Sequence, residues 1–245
     1  MRPAVTTLVL AVMLLGWQSS PSLAQELSLS LGDDASLSAR ALQIIALITL
    51  LSLAPGLAIM ITCFPFVVTV LSILRQGIGL QQSPPNMLIV SLALFLTYFV
   101  MEPVFAEAWT TGIDPLLQEQ LSPEIAIAKA LIPFRQFMFG RVDAETFATM
   151  AALRPDVTSI VVGPDAPLSV LVPSFMLSEI ARAFQIGFLV FLPFLVIDLV
   201  VAAILMSMGM MMVPPAVVSL PFKLAFFVIA DGWTLIAESL VRGYM

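Results

Sequence analysis

The 245-residue sequence contains no histidine. That removes the side chain that most often acts as a general base near neutral pH and most often ligates metal. It contains one cysteine, Cys63, so no disulfide can close within the chain. Set in an apolar run, Cys63 reads as a small buried apolar residue. Charge is scarce as well, at 11% of residues, where soluble domains carry about 25%. With 60% hydrophobic residues and a mean hydropathy of +1.06, the composition is that of a membrane protein. A net charge of −6 excludes the basic surface that nucleic-acid binding needs. Neither an internal repeat nor strand-type alternation is present, so the fold class is all-α, built from about four long apolar helices with a small polar helical segment between them.

Residues 1–24 have the form of a cleavable export signal. Arg2 supplies the positive end, Val5 to Gly16 the apolar core, and Ser22-Leu23-Ala24 a small-x-small cleavage site. Cleavage after Ala24 would leave Gln25 as the first mature residue, on the periplasmic side. The competing reading is an uncleaved anchor, but the apolar core is shorter than the ~20 residues of a span. Residues 25–40 are polar and serine-rich, a flexible lead-in.

Residues 41–106 form a first apolar hairpin. No charge occurs from Ala41 to Leu74, longer than one span, so breaks or kinks are expected at Pro55-Gly56 and Pro65. A turn from Arg75 to Pro85 follows, and a second run, Met87 to Met101, ends at Glu102-Pro103. Residues 107–172 are wetter. Ser122-Pro123-Glu124 has the order of a helix start, with a cap, a first-turn proline and a first-turn acid. That helix is expected to run toward Gly140 with a bend at Pro133. Asp143 is placed to cap a second short helix ending before Pro155. Residues 173–245 form a second apolar hairpin, in which only Asp198 is charged from Ala183 to Phe222.

The tip of that second hairpin is unusual. Five of the 14 methionines fall between Met206 and Met212, followed by Pro214 and Pro215. Methionine is unbranched and polarizable, and adapts to whatever it touches. Gly209 loosens the backbone, while Pro214 and Pro215 end or kink a helix. Two readings stand: a pliable seal around a variable object, or filler of an irregular core. A Cu(I) site on thioethers is a weaker third, since no histidine or nearby cysteine supports it.

Three blocks resemble a known family. They are Arg75 to Gly79 through Pro84-Pro85-Asn86 into Leu92–Thr97; Pro173 to Glu179 through Ala183–Gly187; and Pro193 to Leu199 through Met208–Pro215 to Lys223 and Asp231-Gly232-Trp233. The sequence is similar to the FliP family of flagellar biosynthetic proteins, the P subunits of the type III export gate, over residues 40–240. The resemblance implies an all-helical, non-catalytic, cofactor-free subunit of the inner membrane and flagellar basal body. About five copies would join Q and R subunits in a closed pore. That pore contacts the larger A and B gate components and passes unfolded flagellar cargo. It also implies that Met210, Met211 and Met212, with Met208 and Gly209 beside them, act as a gasket in the pore. The injectisome counterpart has the same fold and a different cargo; the signal segment favours the flagellar branch.

Four further polar residues stand out. Glu179 and Arg182 are three apart on one helix face, as an intersubunit or interhelix seam or as a wet helix end. Asp198 and Lys223 are the most isolated charges, each costing roughly 2.5–3.5 kcal/mol if it faced lipid. A hairpin with its tip near 209–214 places 198 opposite about 226, close enough for an ion pair. A secondary transporter or ion channel using Asp198, Lys223 and Asp231 is the reading from a different class. Without histidine these groups make a poor proton relay.

Overall fold

The computed structural model describes residues 37–80, 83–154, 163 and 165–244. The expected cleavage site at Ala24 and Gln25, and most of the lead-in, lie outside the described residues. The chain divides into two units, Met1–Ser52 and Leu53–Met245.

In the first unit, helix α1 (Leu37–Met60) begins and exposes Leu42, Ile44, Ile45, Leu47, Ile48 and Leu51. The helix continues through Pro55 and stops only at residues 61–63. There the Thr62 hydroxyl donates to the Ile59 carbonyl at 3.0 Å, alongside the Thr62 amide at 3.4 Å. Helix α2 (Phe64–Ile78) restarts with Pro65 in its first turn, where a missing N–H costs nothing. Its inward stripe, Phe66, Val67, Val70, Leu71, Leu74 and Ile78, is the centre of the main core.

Helix α3 (Asn86–Ala108) does not end at Glu102-Pro103. It passes through Pro103 into a π-helical segment, Trp109–Ile113, and then α4 (Asp114–Leu117). The wide turn is stabilised locally: the Asp114 amide donates to Trp109, and the Thr111 hydroxyl donates to the Glu107 carbonyl at 2.8 Å. Helix α5 (Pro123–Phe139) starts at Ser122, whose backbone is extended as a cap requires, although its side chain makes no cap bond. Asp143 does cap α6 (Ala144–Ala152), accepting from the Thr146 amide at 2.8 Å.

Helix α7 (Leu168–Ser207) is 40 residues long, about 60 Å at 1.5 Å per residue, and contains Pro173 and Pro193. It packs along α2, and at Gly187 the approach is so close that a Cβ would stand 2.4 Å from Ile73. After the methionine loop, α8 (Pro215–Ile229) returns along α7. It bends by 61° at Ala230-Asp231 into α9 (Gly232–Arg242). Among the described residues three helices have the length and composition to cross a membrane: 40–60, 86–117 and 168–207. The bent pair 215–242 makes a fourth if it counts as one span.

Candidate functional site

The methionine loop is built by a specific helix ending. Gly209 follows α7 in the left-handed conformation, φ +76, which a side chain would resist. Its amide donates to the Met206 carbonyl at 3.0 Å, and the Met210 amide donates to the Leu205 carbonyl at 2.9 Å. These two bonds are a Schellman ending, which satisfies carbonyls that the helix leaves free. Gly209 is therefore a defined left-handed cap, not the loosened point that a glycine in this run suggests. Pro214 and Pro215 then start α8, with Pro214 extended and Pro215 in the first turn.

This ending points the methionines away from the chain's own core. Met211 and Met212 are 84% and 95% exposed, and Met206, Met208 and Met210 are exposed as well. Within one chain they fill no gap. An exposed apolar cluster of this kind marks a contact with something else.

Two clusters of charge tie separate segments of the chain together, and only Asp198–Lys223 joins two helices directly. Lys223 on α8 donates to Asp198 Oδ2 on α7 at 2.6 Å, and Ser219 donates to Asp198 Oδ1 at 2.5 Å. The pair is lopsided: the lysine side chain is 6% exposed and the aspartate 36%. Asp231, the third residue of the channel reading, lies in the α8–α9 break at φ +48, where it accepts from the Thr234 hydroxyl. That is a local turn role.

Glu179 is the other centre, with a side chain that is fully buried. Arg182 reaches it weakly at 3.4 Å and is itself partly exposed. The main partners come from far along the chain. Arg141, after α5, approaches Glu179 Oε1 at 3.3 Å and donates to the Gly243 carbonyl at 2.5 Å. Tyr244, after α9, donates its hydroxyl to Glu179 Oε2. The Arg141 guanidinium lies 4.0 Å above the Tyr244 ring, which also meets Phe66 and Phe137. Burial pushes the Tyr244 phenol well above its usual range, and the Glu179 charge adds to the effect, so it remains a donor. Sequence reading missed Arg141, Tyr244 and Ser219 as members of these networks.

Cys63 is buried, and burial pushes its thiol up to about 11, so it remains a neutral packing residue. Among the described residues no group of three or more Cys, Asp or Glu side chains could hold a metal ion.

The fold and site define a class: an all-helical membrane-type protein whose distinctive surface is an apolar loop. The comparisons are more specific. The FliP family model matches residues 47–240. "Flagellar biosynthetic protein FliP" of Caulobacter vibrioides is 48% identical over 245 residues, covering all of this chain and 92% of that protein. The protein of the same name from Agrobacterium fabrum is 49% identical over 214 residues, 86% of each chain. The one from Aquifex aeolicus is 40% identical over the full length of both. The chain belongs to the FliP family, proteins of flagellar biogenesis.

Proposed function

We propose that this chain is a pore-forming subunit of the flagellar type III export gate in the bacterial inner membrane. Several copies, with Q and R subunits, surround a path for unfolded flagellar subunits, and the larger A and B components adjoin it. The chain contributes no catalytic step, and residues 107–172 face the periplasm. Met210, Met211 and Met212 meet their counterparts at the axis and close the resting pore, with Met208 beside them.

The observation that carries this reading is the exposure of the methionine loop at the turn between two apolar helices. A soluble face would not place five methionines in water, and a core would bury them. Thioether side chains seal an empty pore by mutual contact and still rearrange around a passing chain of varied shape. Helix α7 is long enough to hold this loop far from the polar segment that anchors it.

The composition of the native complex tests the proposal. Purification through a tag on this chain should recover multiple copies with Q- and R-type subunits, and deleting its gene should abolish secretion of flagellar subunits. A chain that purifies alone and carries substrate-coupled flux in liposomes would instead support a transporter.

A further inference from the structure

The methionine loop stands on a part of the second hairpin that little else among the described residues supports. From Leu199 to Val218 only Val201 and Leu205 are buried. Below the loop the two arms do not close on each other. Val196, Val200, Ile204, Val218 and Phe222 border an apolar cavity of about 400 Å³.

The arms are gripped at one level. Asp198 on α7 uses one oxygen for Ser219 and the other for Lys223. Positions 219 and 223 are neighbours on one helix face, a turn apart. One carboxylate thus holds two successive turns of α8. Sliding α8 by a single residue moves each donor by 1.5 Å and 100°, which takes the short Ser219 side chain out of reach. Behind the grip stands the end of α2. Gly79 lies there at φ +87, and a Cβ on it would stand 3.8 Å from Lys223 Nζ and 3.5 Å from Leu220 Cδ1. Two residues earlier, a Cβ on Gly77 would stand 3.0 Å from Phe194 and 3.1 Å from Phe191. The two glycines leave a shallow seat for both arms.

We infer that Asp198, Ser219 and Lys223 are a register lock for the gate loop, with Ser219 as its positioning residue. The lock fixes how far α8 stands along α7, and so the height at which residues 208–214 are presented. Lys223 alone does not do this, because an ammonium on a flexible four-carbon stem follows a shifted carboxylate. The serine side chain is one atom long beyond Cβ, so its bond to Asp198 survives in one register only. The inference rests on the gate reading above.

The alternative is that Ser219 merely bonds back along its own helix, since its hydroxyl also lies 3.2 Å from the Ala216 carbonyl. Ser219→Ala and Ser219→Thr in the assembled native complex separate the two. A spin label on Ser207→Cys, in a Cys63→Ala background, reports order at the exposed end of α7. The lock predicts that Ser219→Ala assembles near parental levels, while the label gains a mobile component and resting ion leak rises several-fold. Ser219→Thr restores both. A Ser219→Ala complex with parental label spectrum and parental leak overturns the lock. Loss of assembly as severe as that of Asp198→Ala also overturns it, since Ser219 is then a packing anchor. A triple alanine variant at Met210, Met211 and Met212 runs alongside. If that variant stays tight, the gate reading fails, and the label at position 207 still decides the lock.

Discussion

Arg141 and Glu179, 38 positions apart in the chain, meet at 3.3 Å around a carboxylate that no solvent reaches. The same arginine covers the Tyr244 ring, so one guanidinium joins the α5–α6 corner, α7 and the segment after α9. Breaking a buried pair by removing one partner typically costs 3–5 kcal/mol, because the other charge is left buried. In Arg141→Ala the Arg182 guanidinium at 3.4 Å and the Tyr244 hydroxyl still reach Glu179, so the loss should lie toward the lower end of that range and reduce assembled complex. Tyr244→Phe keeps the ring contacts and loses one hydrogen bond to a charged group, roughly 1.5–3 kcal/mol. Thermal melts of the purified complex should rank Arg141→Ala as the more damaging. The opposite ranking would mean that the tyrosine, and not the arginine, holds Glu179.

The Asp198–Lys223 pair should respond asymmetrically. Asp198→Ala strands a lysine that is almost fully buried. Lys223→Ala leaves a carboxylate that is about a third exposed and still accepts from Ser219. Complex yield should fall further for Asp198→Ala. The double variant should be less harmful than the two losses added, because no unpaired charge remains. Strict additivity would show that the pair is not coupled in the assembly.

Gly209 separates a hinge from a cap. A non-glycine residue in the left-handed conformation costs roughly 1–2 kcal/mol, and asparagine is the side chain that tolerates it best. If Gly209 serves as the Schellman cap, Gly209→Asn should melt close to the parent and Gly209→Ala clearly lower. Equal damage from both would return Gly209 to the role of a flexible point.

Asp143 provides a pH test outside the apolar helices. The Thr146 amide and hydroxyl that bond its carboxylate hold it below its usual value of 3.8. Its folded pKa is therefore lower than its unfolded one. The capping contribution is fully present above the unfolded value and is lost as pH falls through the folded value. Protection of the Thr146 amide should drop below about pH 4 in the parent. It should stay level in Asp143→Asn, which caps without titrating. A pH-dependent loss in the asparagine variant would place the acid sensitivity elsewhere.

Local chemistry was readable in the sequence wherever a helix boundary depends on adjacent residues. Helices start at both Ser122-Pro123 and Asp143, although only Asp143 caps through its side chain. The hairpin arithmetic that set position 198 opposite about 226 came within a turn of Lys223, because two antiparallel helices fix that distance. Pro103, where the apolar run reads as ending, lies inside a continuous helix, and Pro55 does not end its helix either; Pro133 lies within its helix as expected. A proline removes one hydrogen bond, whereas ending the helix in apolar surroundings frees several, so the helix continues. Arg141 and Tyr244 were not legible as partners of Glu179, since no periodicity connects residues 38 and 65 positions away. Ser219 was hidden for the opposite reason: a lone serine in an apolar helix carries no pattern until its neighbour is known.

If the methionine loop closes the resting pore, ion leak through the assembled complex should depend on it. Replacing Met210, Met211 and Met212 together by alanine removes bulk without adding charge. Because these side chains are not part of the chain's own core, assembly should be preserved. Membrane conductance in cells carrying the variant should then rise well above the parent's. Leucine at the three positions should seal better than alanine and pass cargo less well, because its branched side chain rearranges less freely. A triple-alanine complex that assembles normally, conducts no more than the parent and secretes normally would mean that these methionines do not close the pore.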